Sequence, residues 1–200
     1  MSDDDDLLPA LRAAQGGDER GFAIVWRALQ PAVLRYLRVV VGDAAEDVAS
    51  ETWLQAARDL HRFSGDVGAF RGWLFRIARH RGIDERRRVG RRPEEPVAAG
   101  GDDGLRARDA ASEALEGSDT RWALGLIATL PIDQAEAVML RVVAGLDVAA
   151  TAKVLGKRAG AVRVATMRGL RRLAAHPQVQ ARNLPAAGDS PVDPALPEGV

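Results

Sequence analysis

Residues 145–173, GLDVAATAKVLGKRAGAVRVATMRGLRRL, combine a small residue, a glycine and a run of cations at the spacing of two crossing helices. Ala152 is the small side chain that a tight crossing needs, Gly156 supplies the turn, and Val162 is placed to pack back on the first helix. Beyond Gly160 an apolar row of Val162, Ala165, Leu170 and Leu173 is set apart from Arg163, Arg168, Arg171 and Arg172. Such a face suits the major groove of DNA, where guanidinium groups neutralise phosphates and reach base edges. An amphipathic hairpin with a solvated basic face is the competing interpretation, since short turn patterns occur in both.

A second group of residues suits a different nucleic-acid chemistry. Arg58, Arg62 and Phe63 lead into the glycine-containing loop FSGDVGAF at 63–70, and Phe70, Trp73, Arg76 and His80 follow. Rings interleaved with arginine fit a single strand, because bases stack on the rings for about 1–3 kcal/mol each while guanidinium groups meet phosphate. Core packing competes for the same rings, and two or three of Phe63, Phe70, Trp73 and Phe75 are expected to serve the core. Asp47 and Glu51, four residues apart beside Trp53 and Leu54, make a mixed acidic and apolar surface suited to a basic helical element of another protein, or else a solvated face.

Enzyme signatures are missing. His61, His80 and His176 are not at metal-ligand spacing, no HExxH occurs, and Gly156-Lys157 lacks the upstream glycine of a phosphate-binding loop. An all-α hydrolase holding a metal on Asp43, Glu46, Asp47 and Glu51 is the enzymatic alternative, and it requires tight divalent-ion binding. The expectation is a binding protein with no catalytic residues, no cofactor and no metal.

The elements that must position these groups are all helical. Apolar residues recur at helical spacing along most of the chain, without alternating strands flanked by hairpin turns, so the fold class is all-α. Helices are expected near 7–15, 19–41 with Asp18 as cap and Pro31 as a kink or interruption, 44–61 capped by Asp43, and 71–88. In the third of these, Val48, Leu54, Ala57 and Leu60 are the buried candidates. Further helices are expected near 121–130, 132–144 with Pro131 at its start, 148–155 and 159–175. With 200 residues, 46% of them hydrophobic, two small domains fit best.

Formal net charge is zero, yet the charges are segregated. From Arg71 to Arg92 nine arginines face Asp84 and Glu85, a net +7, and from Arg141 to Leu173 eight cations face Asp147, again +7. Between them Pro93 to Thr120 carries a net −6, with prolines and glycines at 93, 96, 100, 101 and 104 breaking any regular element, an acidic flexible linker. Because a field follows local charge over about one Debye length, roughly 8–10 Å, these are two basic patches and not a neutral protein. The chain has no cysteine, hence no disulfide framework, and no apolar run long enough for a membrane span. An acidic start, MSDDDD, stands where a secretory signal would be basic, so a cytoplasmic location without membrane insertion is expected.

Taken together, EDVASETWLQA at 46–56, FRGWLFRIARHRGIDERRR at 70–88 and LPIDQAEAVMLRVVAGLDVAATAKVLGKRAGAVRVATMRGLRRL at 130–173 resemble the bacterial sigma-70 family, specifically its extracytoplasmic-function, group four members. These keep only the second and fourth conserved regions. The resemblance implies an N-terminal extension at 1–19, region two at 20–92, the acidic linker at 93–120, region four at 121–176 and a proline-rich disordered tail at 177–200. It implies a sigma factor that binds core RNA polymerase and directs promoter-specific initiation. Asp47, Val48, Glu51 and Leu54 would meet the β′ clamp helices. Phe63, Ser64, Gly65, Phe70, Arg76 and His80 would hold a flipped base of the melted −10 strand. Arg141, Arg163, Val164, Met167 and Arg168 would read duplex DNA at the −35 element, with region four also touching the β flap.

The chain departs from the family pattern at several positions, among them Thr151, where a branched apolar residue is usual. Ser50 replaces a common Gln in the clamp segment, His80 stands where relatives often have Asn, and Val164-Ala165 replaces a common Ser-Arg. The last makes base contact more apolar, shifting the choice towards thymine methyl groups or DNA shape. An anti-sigma protein is a further partner that the resemblance implies. A helix-turn-helix regulator binding duplex DNA by itself is the other function considered.

Overall fold

The computed structural model describes residues 3–91 and 117–183, and every regular element in them is helical. The order is α1 (Asp3–Gln15), α2 (Glu19–Val41), α3 (Ala45–Asp59), α4 (Val67–Arg91), α5 (Ser118–Ala128), α6 (Ile132–Val138), α7 (Val148–Leu155), α8 (Ala159–Ala174) and α9 (Pro177–Asn183). Helices α1 to α4 form one helical domain, and α5 to α9 form the second. The acidic linker lies almost wholly outside the described residues, its last three residues being the first turn of α5.

Local rules account for most helix ends. Asp18 accepts the Gly21 N–H at 2.8 Å and starts α2, and Asp147 accepts the Ala150 N–H at 2.6 Å to start α7. Gly156 closes α7 in the left-handed region at φ 64°, as the turn between two crossing helices requires. Pro131 stands immediately before α6.

Several expected boundaries move, each for an identifiable reason. The helix expected from 71 begins at Val67, because Asp66 accepts the Ala69 N–H at 2.7 Å and caps it one turn earlier. Asp43 caps nothing: it sits inside a short 3-10 turn, Gly42–Ala44, and Ala44 precedes α3 without a side-chain cap. Pro31 does not interrupt α2, which is continuous from Glu19 to Val41. Helix α6 runs into a wider π turn at Met139–Val143, with the Ala144 N–H bonded to the Met139 carbonyl at 2.9 Å. The tail is helical at its start, where α9 returns towards α5 and Arg182 stacks over Trp122 at 4.6 Å while pairing with Asp119. Residues 184–200 lie outside the described residues.

The core is built around α2, which buries Val25, Leu29, Val33, Tyr36, Leu37 and Val40. Against it lie Leu7, Leu11 and Ala14 of α1, then Ala45, Val48, Ala49, Thr52, Trp53 and Ala56 of α3. That row corrects the expected one: Leu54 and Ala57 are exposed, because a helical period counted from Val48 passes through 52 and 56 and leaves 54 and 57 on the far side. Leu74, Phe75 and Ala78 of α4 close the bundle.

Helices α1 and α2 touch at backbone distance. A Cβ on Gly21 would lie 2.7 Å from the Ala10 carbonyl oxygen and 2.9 Å from both the Ala13 Cβ and the Ala14 nitrogen. Two of these three neighbours are backbone atoms, so the helices themselves would have to part. Gly21→Ala should therefore destabilise the chain by about 1–3 kcal/mol, the usual cost of overpacking. Chemical denaturation measures this, and an unchanged midpoint would contradict the close approach.

Candidate functional site

Helix α3 presents Asp47, Glu51 and Leu54 in one row, spaced four and three residues apart on its outer face. Leu54 is 58% exposed, whereas Val48 is only 4% exposed and belongs to the core. Val48 is thus a correction to the expected exposed set: it packs into the core beneath α3 and leaves Asp47, Glu51 and Leu54 as the outward residues. Trp53 does the same, with its indole N–H donating to Gln30 at 2.5 Å and its ring edge-to-face on Phe22 at 5.9 Å. The carboxylates border a 460 Å³ groove whose opposite wall carries Arg81, Glu85 and Arg88. Arg88 is held by Glu85 at 2.8 Å, and its guanidinium pKa is raised by that bond first, with Glu51 and Asp47 adding to the field.

The loop at 63–66 is held at both ends. Asp66 caps α4, and the Phe63 carbonyl accepts the Gln15 side-chain amide of α1 at 2.7 Å. Phe63, Phe70 and Trp73 form a ring triad with centroids 5.4–5.5 Å apart. Within it Phe70 is 1% exposed and is core, a second correction to the expected site, while Phe63 and Trp73 are half-buried and keep surface free. Gly65 is at φ 149°, with no room for a Cβ beside Ala69 and Phe63. Ser64, Gly65, Arg76 and His80 are exposed, the last two a turn apart on α4. The loop and one face of α4 thereby come together around a ring platform.

Helices α7 and α8 cross with Thr151 and Val162 fully buried and Ala152 half-buried. Arg163, Val164, Met167 and Arg168 are all exposed on α8, the two apolar ones at 41% and 44%. Arg141 comes from the π turn; its guanidinium donates to the Leu146 carbonyl and borders a 460 Å³ groove shared with Arg163 and Met167. The expected apolar row on α8 is corrected at Leu170, which is exposed. The inward position is Gly169, where a Cβ would lie 2.8 Å from Val138 Cγ2. A glycine carries no hydropathy signal, so the pattern passed over the residue that lets α8 lie close on α6.

Sequence reasoning missed one group entirely. Glu136 of α6, only 4% exposed, accepts the Tyr36 hydroxyl at 2.9 Å and the Arg79 Nε–H at 2.9 Å, tying α6 to α2 and α4. Burial, and then the Glu136 charge, push the Tyr36 pKa well above 10, so the phenol stays protonated and donates. Among the described residues no cluster of three or more His, Cys, Asp or Glu could hold a metal ion, and no helix is long and apolar enough to cross a membrane.

Comparison with known proteins matches residues 25–92 to sigma-70 region 2 and residues 120–173 to sigma-70 region 4. The chain is 34% identical over 187 residues to the ECF RNA polymerase sigma factor ShbA of Streptomyces griseus, covering 88% of this chain and 98% of that one. It is 35% identical over 171 residues to the ECF RNA polymerase sigma factor SigD of Mycobacterium tuberculosis, covering 80% and 78%. Among solved structures, the fold resembles the sigma factor RpoE of Bartonella quintana, seen with the anti-sigma factor NepR, at TM-score 0.59 and 21% identity over 77% of this chain and 94% of that one.

The burial pattern separates residues that build the site from residues that face outwards. Phe70→Ala should cost about 3–5 kcal/mol in stability, as for other buried rings. Arg76→Ala and His80→Ala, both exposed, should stay within about 0.5 kcal/mol of the parent chain. Urea unfolding of the three variants decides, and a Phe70→Ala midpoint equal to the other two would overturn its place in the core.

Proposed function

The chain belongs to the sigma-70 family as an ECF RNA polymerase sigma factor of transcription initiation, and from that premise we propose how its surfaces divide the work. The region-two domain, 20–92, docks on the β′ clamp helices of core RNA polymerase through Asp47, Glu51 and Leu54, with Val48 and Trp53 as the packed base. Its loop and α4 capture the melted −10 strand: Phe63 and Trp73 offer ring faces, Ser64 and Gly65 form the rim, and Arg76 and His80 meet the strand. The region-four domain, 121–176, lays α8 in the major groove at −35 and also meets the β flap. The protein acts by binding, without a catalytic step, in the cytoplasm, and group four is its place within the family.

One observation carries this reading: in each of α3, α4 and α8 the charged or apolar groups in question share an exposed face, and the opposite face is core. On α8 the outward face carries Val164 and Met167 between two arginines. Apolar contact to thymine methyls together with guanidinium contact to phosphate or guanine is the recognition this mixture supports. An anti-sigma factor is a further proposed partner; the similarly folded RpoE is seen with one.

The docking face should behave as a compact hot spot. Asp47→Ala with Glu51→Ala should weaken binding to core polymerase at least about tenfold, roughly 1.4 kcal/mol, without shifting thermal unfolding. Unchanged affinity in a titration with core enzyme would sink the docking assignment.

The groove-facing helix is tested by separating base from phosphate contacts. If Arg163 or Arg168 bonds guanine, its replacement by Ala should cost about 1–3 kcal/mol at the cognate −35 element and relax preference there. A phosphate contact would weaken all sequences alike and lower the salt slope by about one. Promoter-library transcription with core polymerase reads both, and −35 profiles identical to the parent with Arg163→Ala, Arg168→Ala and Val164→Ser would refute this face. Duplex binding that needs no core enzyme would favour a stand-alone regulator.

A further inference from the structure

One flank of α8 holds a groove with an apolar lining open to solvent. Its 460 Å³ lie between the π turn after α6, the start of α7 and α8 itself, with Val148, Met167 and Leu170 in the lining and Arg141, Arg163 and Arg171 around them. Met167 and Leu170 are nearly half exposed and three residues apart, so they make one continuous patch. No acidic residue is among the described lining, and neither Arg163 nor Arg171 has a carboxylate partner among the described residues. An apolar patch edged by arginines is complementary to a segment that is apolar and acidic within the same few residues.

The chain carries such a segment. Residues 184–200, LPAAGDSPVDPALPEGV, hold Asp189, Asp193 and Glu198 without any Lys or Arg, a net −3, beside Leu184, Val192 and Leu196. Pro191, Pro194 and Pro197 recur every third residue, the period of polyproline II, a form that docks in apolar grooves at low ordering cost. The segment is also within reach. It follows α9, a seven-residue helix that begins at Pro177 just past the end of α8 at Ala174, and so starts about 10 Å of helix from that end. Extended at about 3.1 Å per residue it spans roughly 50 Å, whereas α8 from Ala174 back to Arg163 is only about 16 Å long. Tethering supplies an effective concentration in the millimolar range, so an intrinsic affinity of about 1 mM already fills the groove roughly half the time.

We propose that residues 184–200 lie in this groove in the free protein and compete there with duplex DNA for Arg163. The docking stands on the groove and the charges; that DNA is the competitor rests on the function proposed above for α8.

The chain has no cysteine, so Ser190→Cys carries a single nitroxide without background. In full-length, methyl-labelled protein the nitroxide should broaden the Met167 and Leu170 signals several-fold more than two exposed references. These are Ala161, on the opposite flank of α8, and Val89, on the basic stretch of α4. High salt should weaken the contrast, because the carboxylates contribute through a screened field. Val192→Ser with Leu196→Ser keeps every charge. It should remove the contrast and tighten binding of a short mixed-sequence duplex about twofold or more, since a site free half the time shows half its intrinsic affinity.

Equal broadening at all four methyls, or at none, would overturn docking in the groove. Broadening of methyl-labelled chains by separate nitroxide-bearing chains would put a second copy there and overturn the intramolecular segment. A contrast that survives the serine changes would overturn the apolar contact. If the serine variant loses the contrast yet binds duplex as the parent does, competition is overturned and docking stands. If no form of the chain binds duplex, the reading of α8 fails, while the methyl signals still decide docking.

Discussion

Helix α2 has to satisfy partners on nearly every side, and this constraint orders the rest of the molecule. Val25, Leu29, Val33, Leu37 and Val40 are buried along one side of it, whereas Ile24 and Trp26 on the same helix stay exposed. Its Tyr36 is fully buried yet carries a hydroxyl, which in an apolar setting must find an acceptor. The acceptor is supplied by a residue 100 positions away, so the demand of one phenol is met only when the second domain is in place. Burying Glu136 is costly in turn unless its charge is compensated, and Arg79 provides that compensation. Three residues on three helices thus depend on one another, and the packing between the domains inherits that dependence.

The exposed faces of α3 and α8 follow from the same packing. Val48 and Trp53 fix α3 so that Asp47, Glu51 and Leu54 have one direction to face. Gly169 brings α8 close to α6 and thereby sets the rotation that turns Val164 and Met167 outwards. Capping hydrogen bonds at Asp66 and Asp147 contribute on the order of 1 kcal/mol each, less than a buried ring such as Phe70, so they decide where helices begin and not whether the domains hold.

Much of this was legible in the residues alone. The all-α class, the glycine turn at 156 and the cap at 18 follow from local chemistry and helical period, whereas the row of Arg163, Val164, Met167 and Arg168, which lies exposed on α8, was implied by the family resemblance. What escaped shares a common cause, which is that tertiary packing overrides pattern. Leu54 is apolar but outward, Gly169 is featureless but inward, and Phe70 reads equally as a stacking platform or as core. Asp43 has the right residue type for a cap but sits within a 3-10 turn. Glu136 could not have been found from spacing, because its partners lie on α2 and α4 and nothing in a helix marked IDQAEAV distinguishes a buried carboxylate from a solvated one.

The segregated charges bear on how firmly the domains can stay docked. Arg71, Arg76 and Lys153 line one cleft, with Asp66 and Asp147 as the acids among its walls, so docking draws two basic patches towards each other within about a Debye length. Apolar burial and the Glu136 contact favour the docked form, and like-charge repulsion across the cleft opposes it. Phosphates entering that cleft would relieve the repulsion there, whereas the Glu136 carboxylate would repel them. A polyanion is therefore drawn to the cations of the cleft and kept away from the Glu136 contact.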